Sequence, residues 1–168
     1  MPEMTAAVLT VSDSAARGQR QDLSGPAVQA LLEKKGYRVV RTQIVPDGRS
    51  DIEVAIMGLC HQARLVVTTG GTGVAQRDVT PEATRSVCER IVDGIGERMR
   101  AEGVKKTPLA ALSRSVCGIR GQSLVVNLPG SPTAAVDSLT AVVDILPHAL
   151  QLLAGKTEHE TPGQPPKG

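Results

Sequence analysis

The feature that most constrains this chain is a repeated alternation between short apolar runs and longer segments in which apolar residues have helical spacing. Apolar runs at residues 6–11 and 65–69 have the length and composition of buried strands, and each leads into a polar loop. Between them, residues 26–36 carry apolar side chains at spacings of three and four. This alternation predicts a largely parallel sheet with helices on both faces.

Two short apolar runs late in the chain predict a β-hairpin. Residues 115–119 and 124–127 are separated by a turn that contains Gly121. The apolar positions then step by three and four to residue 153, and Pro147 within this helical pattern should kink or divide the helix. The predicted fold class is therefore α/β, a three-layer αβα sandwich with a mostly parallel sheet and at least one antiparallel strand.

Two further helices are predicted from the residues that would begin them. Ser50 and Glu53 are three residues apart and precede a periodic apolar segment, which is the spacing of a capping box. Thr80 and Pro81 have the form of an N-cap followed by proline at the first helical position, and the pattern continues to about Ile91.

The near absence of aromatic residues limits both the core and the choice of ligand. The 168 residues include no Trp, no Phe and a single Tyr, Tyr37, so the core must be aliphatic. Proteins that bind single-stranded nucleic acid use aromatic rings on which bases stack, so no nucleic-acid partner is expected. The net charge of +2 indicates no particular partner. No apolar run approaches the roughly 20 residues of a membrane-spanning helix, so no membrane partner is expected.

The cysteines and the two ends of the chain bear on location and domain organisation. Cys60, Cys88 and Cys117 are far apart and none belongs to a CxxC pair, which argues against structural zinc and favours a reducing compartment. No signal-peptide apolar region follows the N-terminus, so a cytoplasmic protein is expected. We expect one domain over residues 1–155 and a disordered tail over residues 156–168, which are polar and rich in Pro.

Chemistry is expected in four polar loops that directly follow predicted strands, because ligands of open α/β sheets bind at the carboxyl ends of the strands. These loops are residues 12–14, 46–48, 70–80 and 127–132. Glycines at residues 70–73 would let backbone N–H groups approach a phosphate, although the same residues suit an ordinary tight turn. Two of the three acidic residues in these loops, Asp47 and Asp78, have alternative interpretations.

Asp47 and Asp78 are carboxylates that stand in separate loops at predicted strand ends. Mg²⁺ binds few protein carboxylates and keeps several waters, so two acids from separate loops would suffice to hold it with a nucleotide. Alternatively, Asp47 caps a turn and Asp78 pairs with Arg77 or another arginine.

Six short motifs follow one another in the range 5–155, and together they resemble one family. They are Thr10-Val11-Ser12-Asp13-Ser14, Val45-Pro46-Asp47, Thr69-Gly70-Gly71-Thr72-Gly73, Arg77-Asp78-Val79-Thr80-Pro81-Glu82-Ala83, Leu112-Ser113-Arg114-Ser115 and Asn127-Leu128-Pro129-Gly130-Ser131-Pro132. In this order they resemble the motifs of the Mog/MoaB family of molybdenum cofactor biosynthesis, whose related domain also occurs in gephyrin and the plant Cnx proteins. The resemblance implies a molybdopterin adenylyltransferase, usually a homotrimer, which transfers AMP from Mg-ATP to the terminal phosphate of molybdopterin and releases pyrophosphate.

The resemblance also implies roles for individual residues. Asp47 and Asp78 become the catalytic and Mg²⁺-binding carboxylates, with ATP and molybdopterin as substrates. The residues implied to contact the nucleotide are Gly70, Gly71, Thr72 and Gly73, with Ser12 and Asp13 in the same pocket. The residues implied to bind the pterin and its phosphate are Ser113, Arg114, Ser115, Asn127, Pro129, Gly130 and Ser131, with Arg114 as the cationic partner.

This sequence departs from the family in two respects, and two other functions stand as alternatives. Gly48 stands where relatives often carry an acidic residue, and no molybdenum-insertion domain is fused to this chain, so molybdate insertion is expected from a partner protein. A non-catalytic molybdopterin-binding or carrier protein is the main alternative. A nucleotide-binding regulator without pterin binding is a third.

Overall fold

A six-stranded mixed sheet lies between helices in the computed structural model, which describes residues 3–156. The strands are β1 (Thr5–Val11), β2 (Arg38–Val45), β3 (Leu65–Thr69), β4 (Arg90–Ile91), β5 (Cys117–Arg120) and β6 (Ser123–Leu128). The helices are α1 (Asp13–Ala16), α2 (Ser24–Lys34), α3 (Arg49–Cys60), α4 (Thr80–Val87), α5 (Asp93–Gly103), α6 (Pro132–Val142) and α7 (Leu146–Leu153), and a 3-10 helix spans Pro108–Leu112.

The sheet has the strand order β2-β1-β3-β6-β5-β4. The pairs β1–β2, β1–β3 and β3–β6 are parallel, whereas β5 runs antiparallel to both β6 and β4. The predicted hairpin is β5–β6, and Gly121 takes a φ of +57° in its turn. The α/β sandwich with a mostly parallel sheet and an antiparallel strand is confirmed.

Two aliphatic cores lie on opposite faces of the sheet, because successive side chains of a strand point to opposite sides. In β1, Ala6 and Val8 belong to the first core, and Ala7 and Leu9 belong to the second. Helices α2, α5, α6 and α7 supply buried residues to the first core, and α3 and α4 supply them to the second. The three-layer arrangement therefore follows directly from the pleat of the central strands.

The helix that begins at Thr80 is shorter than predicted from the sequence, which extended it to about Ile91. It ends at Val87, because residues 90–91 pair with β5 as an additional edge strand, with Arg90 opposite Ile119. Thr80 is itself the first residue of α4, and its hydroxyl donates to Gly70 O at 3.0 Å instead of capping the helix. Residues 90–91 thus pair with β5 instead of continuing the helix, although their local sequence pattern is helical.

Two other helix predictions had different outcomes. The capping box does not form: α3 begins at Arg49 without a side-chain cap, and Glu53 instead accepts from Arg49 Nε at 2.8 Å and Ser86 Oγ at 2.7 Å. The division at Pro147 is confirmed, because Pro147 lies in the first turn of α7 and a 62° bend separates α6 from α7.

Within residues 3–156 no single helix is long and apolar enough to cross a membrane. The bent pair α6 and α7 together has the length and composition of a membrane span, and nothing more than length and composition suggests one. Apart from Lys156, the predicted tail lies outside the described residues.

Candidate active site

A cleft of about 690 Å³ lies at the edge where the parallel strands end. The last residues of these strands lie side by side: Val11 is opposite Val45, and Thr69 is opposite Leu128. The loops that leave them therefore emerge together, as expected for the ligand site of an open α/β sheet. The cleft is lined by much of residues 10–24, by Asp47 and by residues 69–71, 77–78 and 130–132.

The loops after β1 and β2 are joined by two reciprocal hydrogen bonds. The backbone N–H of Asp13 donates to Asp47 Oδ2 at 3.0 Å, and the backbone N–H of Asp47 donates to Asp13 Oδ1 at 2.8 Å. Ser12 caps the short helix α1, and its Oγ accepts from Ala15 N at 3.2 Å. Each carboxylate thus fixes the other residue's backbone, and both side chains line the cleft.

The Asp47 carboxyl has a pKa above its ordinary value, chiefly because the group is partly buried. The negative charges of Asp13 and Asp78 also raise this pKa, while the hydrogen bond from Asp13 N–H and the charge of Arg77 lower it. The site therefore concentrates negative charge from three loops. Among the described residues no three His, Cys, Asp or Glu side chains form a cluster that could hold a metal ion, so a cation here would need further ligands from substrate or water.

Gly70 and Gly71 form a turn that a side chain would block. Their φ values are +92° and +69°, in the region that glycine adopts most readily. A Cβ on Gly70 would collide with Val11 O, and one on Gly71 would collide with Thr80 Oγ1. The turn is fastened to α4, since Thr80 N–H donates to Gly71 O at 3.1 Å. Both glycines line the cleft, where their backbone is open to a ligand.

Asp78 lies at the end of the same loop and closes a small turn. Its Oδ2 accepts from Ala75 N at 3.0 Å, and its own N–H donates to Ala75 O at 2.9 Å. Gly73 lies against this carboxylate, and an added Cβ would come within 2.9 Å of Asp78 Oδ2. The turn directs the carboxylate of Asp78 to the cleft wall.

Arg114 is occupied by protein groups and does not line the cleft. Its Nε donates to Gly73 O at 2.7 Å and its Nη2 donates to Asp78 O at 2.7 Å. Its Nη1 forms an ion pair with Glu82 in α4, and its backbone N–H donates to Thr72 O at 2.8 Å. The guanidinium is thus directed at the glycine-rich loop.

Two more of the predicted pterin-binding residues face inward. Asn127 is fully buried, where its Nδ2 donates to Thr68 Oγ1 at 3.1 Å and Thr84 Oγ1 at 2.9 Å. Ser115 is also buried, and its Oγ accepts from Ser113 Oγ at 3.0 Å. These contacts stabilise the sheet and the segment before β5.

The structure brings about half of the predicted site residues to the cleft. Gly130 approaches the glycine turn so closely that an added Cβ would lie 3.3 Å from Gly70 Cα. The predicted residues that line the cleft are Ser12, Asp13, Asp47, Gly70, Gly71, Asp78, Gly130 and Ser131. Those outside its lining are Thr72, Gly73, Ser113, Arg114, Ser115, Asn127 and Pro129.

The segment between α1 and α2 supplies cleft residues that are not among the candidates predicted from the sequence. Asp22 Oδ2 accepts from Thr10 Oγ1 at 2.7 Å, and its Oδ1 accepts from Gly25 N at 3.0 Å at the start of α2. Ser24 Oγ and Thr69 Oγ1 are hydrogen-bonded at 2.8 Å beside them. The proximity of this polar segment to the end of β1, with only the short helix α1 between them, was the signal available in the sequence.

Three arginines add positive charge to this cleft. Arg17, Arg20 and Arg77 line it, are exposed, and form no ion pair with any of residues 3–156. Unpaired guanidinium groups bind phosphates well, often through two parallel hydrogen bonds. Carboxylates, guanidinium groups and an open glycine turn therefore meet in one cleft.

These features define an α/β protein with a polar, charged cleft at the carboxyl ends of its parallel strands. Residues 7–148 match the family model described as "Probable molybdopterin binding domain", and the chain belongs to that family. It is 44% identical over 152 residues to the molybdopterin adenylyltransferase of Helicobacter pylori strain J99, covering 88% of this chain and 86% of that protein. The Mog/MoaB resemblance is thereby confirmed.

Two further relatives agree. The molybdopterin adenylyltransferase of Escherichia coli strain K12 is 38% identical over 167 residues, with 88% of this chain and 84% of that protein covered. The crystal structure of the molybdopterin biosynthesis enzyme MoaB from Thermus thermophilus superimposes with a TM-score of 0.85 at 46% identity, covering 91% of this chain and 98% of that one. Sequence and fold thus point to the same family.

Proposed function

We propose that this protein is a molybdopterin adenylyltransferase, which transfers AMP from ATP to the terminal phosphate of molybdopterin in molybdenum cofactor biosynthesis. The observation that carries the proposal is the cleft in which Asp47 and Asp78 lie with the open turn of Gly70 and Gly71. The adenylyltransferases of Helicobacter pylori and Escherichia coli, similar over 88% of this chain, support it.

The reaction requires no nucleophile from the protein. An oxygen of the molybdopterin phosphate attacks the α-phosphorus of ATP, the bond from that phosphorus to the bridging oxygen breaks, and pyrophosphate leaves with the electron pair. The protein's task is then to position two anionic substrates and to offset their charge.

The carboxylates fit a magnesium ion that accompanies the nucleotide. Asp47 and Asp78 each use Oδ2 as a hydrogen-bond acceptor, and the Oδ1 of each accepts no hydrogen bond within residues 3–156. Oxygen ligands of this kind and small number suit Mg²⁺, which retains several waters. The ion would supply neutralisation of phosphate charge.

Arg17, Arg20 and Arg77 would offset the remaining phosphate charge. They line the same cleft as the two carboxylates, so an anionic ligand between them would contact groups of both signs. The backbone at Gly70 and Gly71 would approach a phosphate without obstruction by a side chain. In this arrangement Ser12, Asp13, Gly130 and Ser131 shape the walls around the substrates.

The proposal is tested by incubating the purified protein with molybdopterin and Mg-ATP and following pyrophosphate and adenylylated molybdopterin. We expect product from the wild type and a loss of roughly a hundredfold or more in Asp47→Ala and Asp78→Ala, by analogy with the removal of other charge-stabilising groups. Asp144→Ala is the control, because Asp144 is exposed and pairs with Lys35 away from the cleft. Pterin binding without product would establish the carrier function instead.

We also propose that the protein acts as a homotrimer in the cytoplasm and passes its product to a molybdenum-insertion protein. Exposed aliphatic side chains at Leu109 and Leu112 offer apolar surface for association. The free thiols of Cys60, Cys88 and Cys117 suit a reducing compartment. Light scattering of the purified protein would measure the mass of the assembly, and a monomer would contradict the trimer.

A further inference from the structure

The loop that carries Asp78 has two sets of anchors. At its ends, Thr80 binds the carbonyl groups of Gly70 and Gly71 at 3.0 and 3.1 Å. The second set comes from Arg114. Among the described residues, Arg114 alone donates hydrogen bonds to Gly73 O and Asp78 O, both at 2.7 Å. The local turn with Ala75 and the contacts from Arg114, which lies more than thirty positions away in the sequence, therefore both bear on the position of Asp78.

Arg114 is itself fixed by a third residue. Its Nη1 forms an ion pair with Glu82 in the first turn of α4, and its hydrogen bond holds the pKa of the Glu82 carboxyl below its usual range. The Glu82 Oε2 atom is buried without a hydrogen-bond partner in residues 3–156, and Arg114 forms the only ion pair of this carboxylate among those residues, while the charge of Arg49 also lowers its pKa. Glu82, Arg114 and the loop thus form one connected unit.

We propose that Arg114 is a positioning residue that fixes the loop of residues 73–78 against α4, and so places the Asp78 carboxylate, instead of binding the pterin phosphate. Its two terminal nitrogens and Nε all donate to protein acceptors, and Arg114 is absent from the cleft lining. Arg17, Arg20 and Arg77 line the cleft and are the arginines available to phosphates there.

The geometry requires a guanidinium and not merely a positive charge. Arg114 contacts Gly73 O, Asp78 O and Glu82 simultaneously, in the fork that a planar guanidinium presents. A lysine ammonium is a compact charge at the end of a flexible chain and cannot span the same three acceptors. Arg114→Lys therefore preserves charge while releasing the loop.

The experiment compares Arg114→Lys with Arg64→Lys in the full chain. Arg64 is a matched control, because its guanidinium also joins two backbone carbonyl groups, Gln122 O at 2.9 Å and Leu150 O at 3.3 Å, outside the cleft. Amide hydrogen exchange is measured over residues 72–79, and steady-state AMP transfer is measured with each substrate varied.

For Arg114→Lys we expect exchange over residues 72–79 to be faster than in wild type and Arg64→Lys, with exchange in β1 and β3 unchanged. The kcat for AMP transfer should fall about tenfold or more, because misplacement by about 1 Å is costly. The KM for molybdopterin should stay within about twofold, since Arg114 binds no substrate. Glu82→Gln, which keeps an oxygen acceptor for Arg114, should retain more activity than Glu82→Ala.

Only the measurement of AMP transfer rests on the proposed function; the hydrogen-exchange measurement does not. Unchanged exchange over residues 72–79, or a raised KM for molybdopterin with normal kcat, would overturn the positioning role of Arg114. A wild-type protein without AMP transfer would defeat the proposed function, and the exchange result would still decide whether Arg114 fixes the loop.

Discussion

Asp13 and Asp47 each accept a hydrogen bond from the backbone N–H of the other, at 2.8 and 3.0 Å. The two residues are 34 positions apart and lie just beyond the ends of two adjacent parallel strands, β1 and β2. Each carboxylate uses one oxygen for this contact, so the other oxygen of each can face the cleft. The pair therefore couples the local fold of the strand ends to the chemistry of the site.

Loss of the Asp13 carboxylate should loosen Asp47. In Asp13→Ala the partly buried N–H of Asp47 loses its acceptor, and an unsatisfied group of this kind costs about 1 kcal/mol or more. Asp13→Asn keeps an oxygen acceptor and should recover most of that stability. Urea unfolding of the three proteins measures the effect, and equal stability of Asp13→Ala and wild type would refute it.

The pH dependence of stability should report the environment of Asp47. Burial, together with the charges of Asp13 and Asp78, raises its pKa above the ordinary value of 3.8. The folded state then binds this proton more tightly than the unfolded state, so the ionisation of Asp47 lowers stability as the pH rises from 3.8 through the folded-state pKa. Removing the ionisable group should therefore help the metal-free protein at neutral pH.

Asp47→Asn is the test of that expectation. Without Mg²⁺ it should have a higher free energy of unfolding than wild type at pH 7, and the difference should disappear below the ordinary pKa of 3.8. Asp144→Asn, at an exposed position, is the control and should show no such difference. A gain that grows as the pH falls would contradict the assignment.

The glycine turn should tolerate no side chain at Gly71. Gly18 provides a matched control, because its φ of +70° equals that of Gly71 within a degree but no atom lies within 4 Å of an added Cβ. Gly18→Ala should cost about 1 kcal/mol of stability for the left-handed backbone alone. Gly71→Ala should cost about 1–3 kcal/mol more, because the methyl group collides with Thr80 Oγ1. Thermal unfolding of both variants measures the difference, and equal losses would show that the turn has room.

Arginines of the α1–α2 segment should contribute to affinity for the anionic substrates. Arg17→Ala and Arg20→Ala should each weaken ATP or molybdopterin binding by about tenfold at low salt, and less at high salt because exposed charges are screened. Arg41→Ala is the control, since Arg41 is exposed on β2 outside the cleft. Calorimetric titration at two salt concentrations measures this, and equal affinities in all three variants would assign the phosphates elsewhere.

The sequence was sufficient to predict elements whose apolar pattern is strong. Continuous apolar runs marked β1 and β3, and Pro147 marked the division between α6 and α7. The end of α4 could not be predicted, because it depends on the pairing of residues 90–91 with β5, which is remote in the chain. The failed capping box has a similar cause, since Glu53 is drawn to Ser86 on α4.

The site was predictable where a polar residue directly follows a strand, as Asp47 does after β2. Belonging to one of the six motifs did not distinguish residues that line the cleft from residues that stabilise the fold around it. Asn127, for example, is buried because α4 covers the last residues of β6. The arginines of residues 17–20 were missed because a polar loop has no periodicity that would indicate where it folds.

The most direct test of the adenylyl-transfer account is the fate of the α-phosphate of ATP. Wild-type protein is given molybdopterin, Mg²⁺ and ATP labelled with ³²P at either the α or the γ position, and the pterin is then separated and counted. The account predicts label on molybdopterin from the α-labelled ATP only, with γ-label appearing in pyrophosphate. Transfer of γ-label to molybdopterin, or bound molybdopterin that acquires no label from either ATP, would contradict it.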